Sequence, residues 1–461
     1  MLYIGHIPIL LLLPLSAWAA PMCSLRPPPS SAAAASASTP TSNPTGGVSN
    51  NNGSGPTFNR TDDFVATTWY AGWHAQYFPP EKLSWEKYTS ATYAFATTTE
   101  DPGAVGNLDA ENDALLRRFV SLAHQNNVKA LLTIGGWTGS AFFSLNVGSD
   151  ANRTTFVQTM VKLVNEYQLD GLDFDWEYPG KAGDDCNIIS PNDSANFLTF
   201  LQQLRKTPEL ANRTISAATS VLPFAGPDGN PMSDVSEFAA VLDHVAIMNY
   251  DVWGSWSKTV GPNAPLNDSC DPNGQGSAVS AVKAWTDAGF PANQLVLGVA
   301  AYGHSFQVDS SAALGASSVK AADGTLTLQA NPSFAATQPK GDSWDAFSPA
   351  GVSSCGKPTP AGFSGVFNFW GLTEGGFLDV AGNPAAGMGY RFDECSQTPY
   401  VYNPSTQVMV SFDNAQSFAA KGQFINEAGL LGFAMWEAAG DSNDILLDAI
   451  SGAMGIEQSR S

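Results

Sequence analysis

The chain has 461 residues, 43% of them apolar, which is enough to build a sizeable core in one large domain or two to three ordinary ones. Acidic residues outnumber basic ones by 42 to 21, so the formal net charge is -21. Because nucleic acid and anionic membranes repel a polyanion of this kind, the composition excludes both as partners.

The first nineteen residues are typical of an export signal. A short apolar run, Ile7–Leu15, is followed by Ala17-Trp18-Ala19, which fits a small-x-small cleavage site. The run is too short to span a bilayer. We therefore expect residues 1–19 to be a signal peptide and the protein to be secreted and extracellular.

Residues 20–61 are predicted to be a disordered tail, because a segment dominated by Pro, Ser, Ala, Gly and Asn buries too little apolar surface to order itself. Glycosylation in a secreted protein is expected at Asn-x-Ser/Thr sequons, which begin at Asn52, Asn59, Asn152, Asn192, Asn212 and Asn267.

Five cysteines are present, and none has the spacing of a zinc site. An oxidising compartment favours two disulfides and one remaining thiol. Sequence alone does not fix the pairing; the preferred one is Cys186–Cys270 with Cys355–Cys395, which leaves Cys23 in the tail.

From Phe64 onward, short apolar runs alternate with amphipathic stretches. The predicted strands, in chain order, are Phe64–Tyr70, Ala91–Ala96, Ala130–Gly135, Gly171–Glu177, Ile215–Val221, His244–Tyr250, Leu295–Tyr302 and Leu430–Glu437. The predicted helices are Glu111–Asn126, Ala151–Tyr167, Asp193–Arg205, Gln275–Ala288, Asn414–Asn426 and Asp441–Met454, the last with Ser442 as its N-cap.

Eight strands that alternate with helices predict an α/β fold, specifically a (β/α)₈ TIM barrel. The barrel is assigned to residues 62–304 and 411–455. The intervening 305–410 is too long for a bare loop and is predicted to form a small α+β insertion subdomain after strand seven.

The fourth predicted strand carries three acids at alternate positions. Asp173, Asp175 and Glu177 share one face, whereas Leu172, Phe174 and Trp176 share the other. If the apolar face packs against helices, the acids point into the barrel, where mutual repulsion and burial keep at least one of them protonated. Glu177, at the C-terminal end of the strand, is then placed as a general acid.

Two other readings of these acids are weaker. An exposed edge strand does not explain the alternating apolar residues. A metal site is disfavoured because no histidine lies nearby in the sequence and hard cations prefer oxygen-rich loops. We therefore predict neither a metal nor an organic cofactor.

The stretch Asp170 to Glu177 matches the pattern D-G-x-D-x-D-x-E and resembles the signature of glycoside hydrolase family 18, the chitinase family. The resemblance extends over roughly residues 62–455. Further matching positions lie at the ends of other strands: Phe95, Gly136 with Trp137, Met248, Tyr250 with Asp251, Tyr302 and Trp436. His304 stands where the family carries a sugar-binding Arg.

The resemblance implies a retaining chitinase in which the 2-acetamido oxygen of the substrate attacks the anomeric carbon. Glu177 would be the general acid and base, Asp175 would stabilise the intermediate, Asp173 would share a proton with Asp175, and Tyr250 would donate to the acetamido oxygen. The implied substrate-binding residues are Phe95, Gly136, Trp137, Tyr178, Met248, Asp251, Tyr302 and Trp436.

The expected partner is chitin or a chito-oligosaccharide, and a monomer is expected. Two alternatives stay open. An endo-β-N-acetylglucosaminidase that acts on N-glycans would use the same motif, and a chitin-binding lectin would share the barrel, although such relatives typically lack the acid equivalent to Glu177.

Overall fold

The computed structural model describes residues 64–270, 274–314 and 326–456. The predicted signal peptide (1–19), the predicted tail (20–61), Cys23 and the sequons at Asn52 and Asn59 lie outside the described residues. In the part of the chain that is described, no helix is both long and apolar enough to cross a membrane.

Eight parallel strands close into a barrel. In chain order they are Val65–Ala71, Ser90–Thr98, Lys129–Gly135, Gly171–Asp175, Thr214–Thr219, His244–Ile247, Leu295–Ala300 and Gly432–Trp436. Each strand pairs with the next, and the first pairs with the eighth, so that Val65 lies opposite Gly432. The predicted (β/α)₈ barrel is confirmed. The fourth and sixth strands end earlier than predicted, which leaves Glu177 and Tyr250 on the loops that follow them.

Helices surround the barrel. Their bounds are Ala110–Gln125, Phe143–Val147, Asp150–Tyr167, Asp193–Arg205, Ser236–Ala239, Ala278–Asp287, Ala415–Glu427 and Ile445–Met454. Short 3₁₀ turns span Gly72–His74, Pro80–Lys82, Trp85–Lys87, Ala292–Gln294 and Ala438–Gly440. The last helix is not capped by Ser442 as predicted. Instead, the Asp441 carboxylate accepts hydrogen bonds from the backbone N–H groups of Leu446 and Leu447, because a carboxylate satisfies several first-turn donors at once.

The apolar face of the fourth barrel strand packs against these helices. Phe174 and Trp176 are buried, and the Trp176 ring lies 5.4 Å from Phe197 and 5.0 Å from Phe143. Because side chains alternate along a strand, this outward packing directs the intervening acids into the barrel.

A second sheet lies between the seventh and eighth barrel strands in the chain. Its six strands are Tyr302–Gln307, Leu326–Thr327, Val366–Asn368, Gly389–Asp393, Thr398–Asn403 and Val408–Ser411. Helices Ser310–Leu314 and Phe369–Glu374 accompany it, and a separate two-stranded ribbon pairs Gly351–Val352 with Pro358–Thr359. The second sheet therefore begins and ends slightly outside the predicted segment 305–410.

The predicted disulfide pairing is wrong. The structure pairs Cys186 with Cys355 and Cys270 with Cys395, with Cα–Cα distances of 5.4 Å and 6.3 Å. The insertion folds back toward the barrel, so that each of its two cysteines meets a cysteine on a barrel loop.

Candidate active site

Asp173 is the innermost of the three acids and is held by three donors. Its carboxylate accepts hydrogen bonds from Trp69 Nε1 at 3.1 Å, Thr133 Oγ1 at 2.9 Å and Ser216 Oγ at 2.7 Å. These donors come from three other barrel strands, and between them they supply a hydrogen bond to each oxygen of the Asp173 carboxylate. The hydrogen bonds of the described residues include none between Asp173 and Asp175, and the sharing of a proton between them stays a prediction.

Asp175 follows Asp173 by two residues, at the C-terminal end of the same strand, and is 4% exposed. Its Oδ1 atom is buried without a hydrogen-bond partner. Burial raises the pKa of this carboxyl well above its usual range, and the charges of Glu177 and Asp173 raise it further. An acid in this position favours a proton unless a ligand supplies a donor or a positive charge.

Glu177 is fixed through its backbone. Its N–H donates to Ser140 Oγ at 3.1 Å, and its carbonyl accepts from Asn187 Nδ2 at 2.6 Å. Burial raises the pKa of Glu177 to about 7; a hydrogen bond from Tyr178 opposes this effect and the charge of Asp251 adds to it. The carboxyl is therefore both protonated and ionisable near neutral pH, as a general acid and base requires.

Tyr250 and Asp251 complete the polar part of the site. Burial raises the pKa of Tyr250 well above its usual value, and the Asp175 charge adds to this, so its hydroxyl stays a donor. Asp251 Oδ1 lies 2.7 Å from the Tyr302 hydroxyl and 2.7 Å from His304 Nε2. Both partners belong to the first strand of the insertion, which orients Asp251.

Aromatic rings form the floor of the site. Trp436 lies 5.6 Å from Phe95 with nearly parallel planes, 5.9 Å from Trp69 and 6.3 Å from Trp73. Gly136 fits beneath Phe95, since its φ is +85° and a Cβ there would lie 2.9 Å from the Phe95 ring. Flat apolar surfaces of this kind suit the faces of sugar rings.

A cleft of about 1200 Å³ opens above these groups. Ten of the twelve predicted site residues line it: Phe95, Gly136, Trp137, Asp175, Glu177, Tyr178, Met248, Tyr250, Asp251 and Trp436. The other two, Asp173 and Tyr302, do not line the cleft. Asp173 lies beneath Asp175, and Tyr302 hydrogen-bonds Asp251. The contact predicted between Tyr302 and the substrate stays a prediction, and the Tyr302 hydroxyl donates to Asp251.

Sequence reasoning missed two exposed tryptophans of the cleft, Trp73 and Trp256, which are 51% and 62% exposed. Trp73 follows the first barrel strand by two residues, so the rule that barrel enzymes place chemistry at strand C-termini could have found it. Trp256 lies in the long loop after the sixth strand and has no comparable signal.

Residues 66–441 match the family described as glycosyl hydrolases family 18. A protein of Moniliophthora perniciosa named "chitinase-like effector" is 49% identical over 418 residues, which cover 90% of this chain and 92% of that protein. Chitinase 1 of Aphanocladium album is 27% identical and covers 87% and 88%, respectively. The crystal structure of a chitinase from Rhizomucor miehei superposes with a TM-score of 0.72 at 31% identity, covering 85% of this chain and all of that one.

Proposed function

The chain belongs to glycosyl hydrolases family 18, and on this premise we propose that it is an active chitinase that cleaves β-1,4 bonds between N-acetylglucosamine units with retention. One observation carries the proposal. Glu177 lies in the cleft with its pKa raised to about 7, beside the buried Asp175, whose Oδ1 atom has no partner. A protein that only binds sugars has no need of a carboxyl poised in this way.

The proposed reaction uses the acetamido group of the substrate as nucleophile. Glu177 gives its proton to the glycosidic oxygen as the bond to the anomeric carbon breaks. The carbonyl oxygen of the 2-acetamido group bonds to that carbon on the opposite face and leaves a positively charged oxazolinium ion. Water then attacks the anomeric carbon, the bond from that carbon to the acetamido oxygen breaks and restores the neutral acetamide, and the water passes a proton to Glu177, which restores the acid.

The neighbouring groups have complementary roles in this proposal. Asp175 accepts the acetamido N–H, which supplies the donor that its buried Oδ1 lacks, and its negative charge stabilises the oxazolinium ion. Tyr250 donates its hydroxyl to the acetamido oxygen and holds it against the anomeric carbon. Trp436 supports the apolar face of the sugar from below.

Export is part of the same proposal. The apolar N-terminal run and the small-x-small sequence that follows it support a secreted protein, as do the two disulfides that link the insertion to the barrel.

A second candidate function is binding of chito-oligosaccharides without turnover. The relative named "chitinase-like effector", 49% identical, favours a role other than chitin degradation. Glu177 argues against it, since binding alone gives no reason to maintain an acid with a raised pKa in the cleft.

Product analysis on chitohexaose separates these possibilities. The wild type should release shorter oligomers whose new reducing ends are initially β by NMR, whereas Glu177→Gln should bind chitohexaose without cleaving it. Binding by both proteins with turnover by neither would establish the second candidate. Cleavage of a high-mannose glycoprotein with chitohexaose untouched would instead assign an endo-β-N-acetylglucosaminidase.

A further inference from the structure

The two-stranded ribbon of the insertion is attached to the rest of the protein at its two ends. We call residues 346–363 the hairpin; its arms pair Gly351 with Thr359 and Ser348 with Gly362. At its base, the Asp345 carboxylate accepts hydrogen bonds from the backbone N–H groups of Ser364 and Gly365. This base is tied to the strand that follows the seventh barrel strand, because Ser305 N–H donates to the Gly365 carbonyl at 2.9 Å.

The tip of the hairpin is attached on a different side of the barrel. Cys355 forms a disulfide with Cys186, and Lys357 Nζ donates to the Asp185 carbonyl at 2.5 Å. Cys186 lies on the loop that follows the fourth barrel strand, and its neighbour Asn187 holds the Glu177 carbonyl. The hairpin therefore connects the loop beside Glu177 with the end of the seventh strand.

Strands four and seven are three positions apart around the closed sheet. A connection between them either crosses the open end of the barrel or runs around its rim. The rim has two sides, one over the loops after strands five and six and the other over the loops after strands eight, one, two and three, where Trp344 packs against Tyr77. Either route around the rim would bury one side of the hairpin. Residues 346–361 are instead exposed throughout except for Ser353, and Phe347 and Val352 are 57% and 69% exposed. This exposure fits a free-standing span above the barrel.

The length of the hairpin is sufficient for such a span. At about 3.3 Å per residue of extended backbone, the segment from Asp345 to Cys355 reaches at most roughly 30 Å. The open end of the barrel is also where the cleft lies, and its lining includes residues from the loops after strands four, five and six, such as Tyr178, Val221 and Asp251.

We propose that the hairpin, locked by the Cys186–Cys355 disulfide, forms a strap across the cleft, so that a glycan chain enters by one of its ends. This inference rests on the proposed function for the identity of the glycan, a linear chain of N-acetylglucosamine units. The strap makes chain ends the preferred points of attack, and internal bonds of a polymer reach Glu177 only by threading.

Binding kinetics test the strap without requiring turnover. In a Glu177→Gln background, a chito-octaose with free ends should associate at least tenfold faster than the same oligomer carrying a bulky protein cap at each end. Opening the strap with Cys186→Ser and Cys355→Ser should bring the two association rates within about twofold. The matched control, Cys270→Ser with Cys395→Ser, removes the other disulfide of the insertion and should keep the discrimination.

Equal association of capped and uncapped chains with the intact strap would overturn the inference, and so would discrimination that survives opening. If the double Cys variant fails to fold, replacement of residues 349–361 by a short Gly-Ser linker together with Cys186→Ser provides the open form. Because Asn187 adjoins Cys186, kcat on 4-nitrophenyl chitobioside in the Glu177 background checks that the acid is still in place. If the wild type binds the chains but does not turn over 4-nitrophenyl chitobioside, the proposed hydrolase activity is refuted. The association rates would still test the strap in that case.

Discussion

Glu177→Gln should affect activity and stability in opposite directions. Gln has the shape of a protonated Glu but no proton to donate, so the turnover number on a chito-oligosaccharide should fall by at least about 10²-fold, the usual contribution of a general acid. The same change removes a carboxylate that burial disfavours, because the pKa of Glu177 in the folded chain is about 7 against an ordinary value of 4.5.

The size of the stability effect follows from these two values. Below pH 4.5 the residue is protonated in both the folded and unfolded chains. Between pH 4.5 and 7 only the unfolded chain loses the proton, so the stability of the wild type falls as pH rises through this window. A change in pKa from 4.5 to about 7 corresponds to at most about 3 kcal/mol. Gln does not titrate, so the variant should be the more stable protein above pH 7 and should show no advantage of this origin below pH 4.5.

Calorimetric unfolding of both proteins at pH 4 and pH 8 measures the effect, and oligomer turnover at pH 6 measures the loss of activity. A general-acid role for Glu177 would be refuted by turnover within tenfold of the wild type. Identical changes of the unfolding temperature with pH in the two proteins would refute the argument from burial.

Three further changes test the surroundings of Glu177. Asp251→Asn removes a charge that raises the pKa of Glu177, so the alkaline limb of kcat/KM, expected near pH 7 in the wild type, should move to lower pH; an unmoved limb would contradict this. Asp173→Ala removes the acceptor of the buried Trp69 N–H and should lower the free energy of unfolding by about 1–3 kcal/mol in chemical denaturation, with a loss no larger than that of Ser216→Ala counting against the network. Gly136→Ala should weaken chito-oligosaccharide binding in a tryptophan fluorescence titration by pushing Phe95 away from Trp436, whereas Gly229→Ala, which has a similar φ of +79° and an open environment, should not.

Much of the fold could be predicted because it depends on local patterns. Short apolar runs that alternate with amphipathic helices indicate the barrel, and the alternation of Leu172, Phe174 and Trp176 with three acids indicates which face of the fourth strand packs against helices. The barrel then brings Glu177, Tyr250 and Trp436 together, because the C-terminal ends of its parallel strands meet at one rim.

The disulfide pairing and the hydrogen bonds of Asp173 could not be predicted, because they depend on contacts between segments that are distant in the chain. Nothing local distinguishes Cys270 from Cys355 as the partner of Cys186, because the choice is made by the hairpin, which returns to the barrel 169 residues after Cys186. The hydrogen bonds of Asp173 also come from distant segments. Trp69, Thr133 and Ser216 lie on three other barrel strands, and together they satisfy Asp173 without its neighbour.

The insertion is also distant from Glu177 in the chain, yet it affects the electrostatics around that residue. Its first strand carries Tyr302 and His304, which both contact Asp251, and the charge of Asp251 raises the pKa of Glu177. An arginine at position 304 would carry a permanent positive charge against Asp251 and offset that effect, whereas a histidine is charged only when protonated. The departure from the family pattern at His304 therefore replaces a permanent charge with an imidazole 2.7 Å from Asp251, and through this contact the insertion is part of the electrostatic environment of the site.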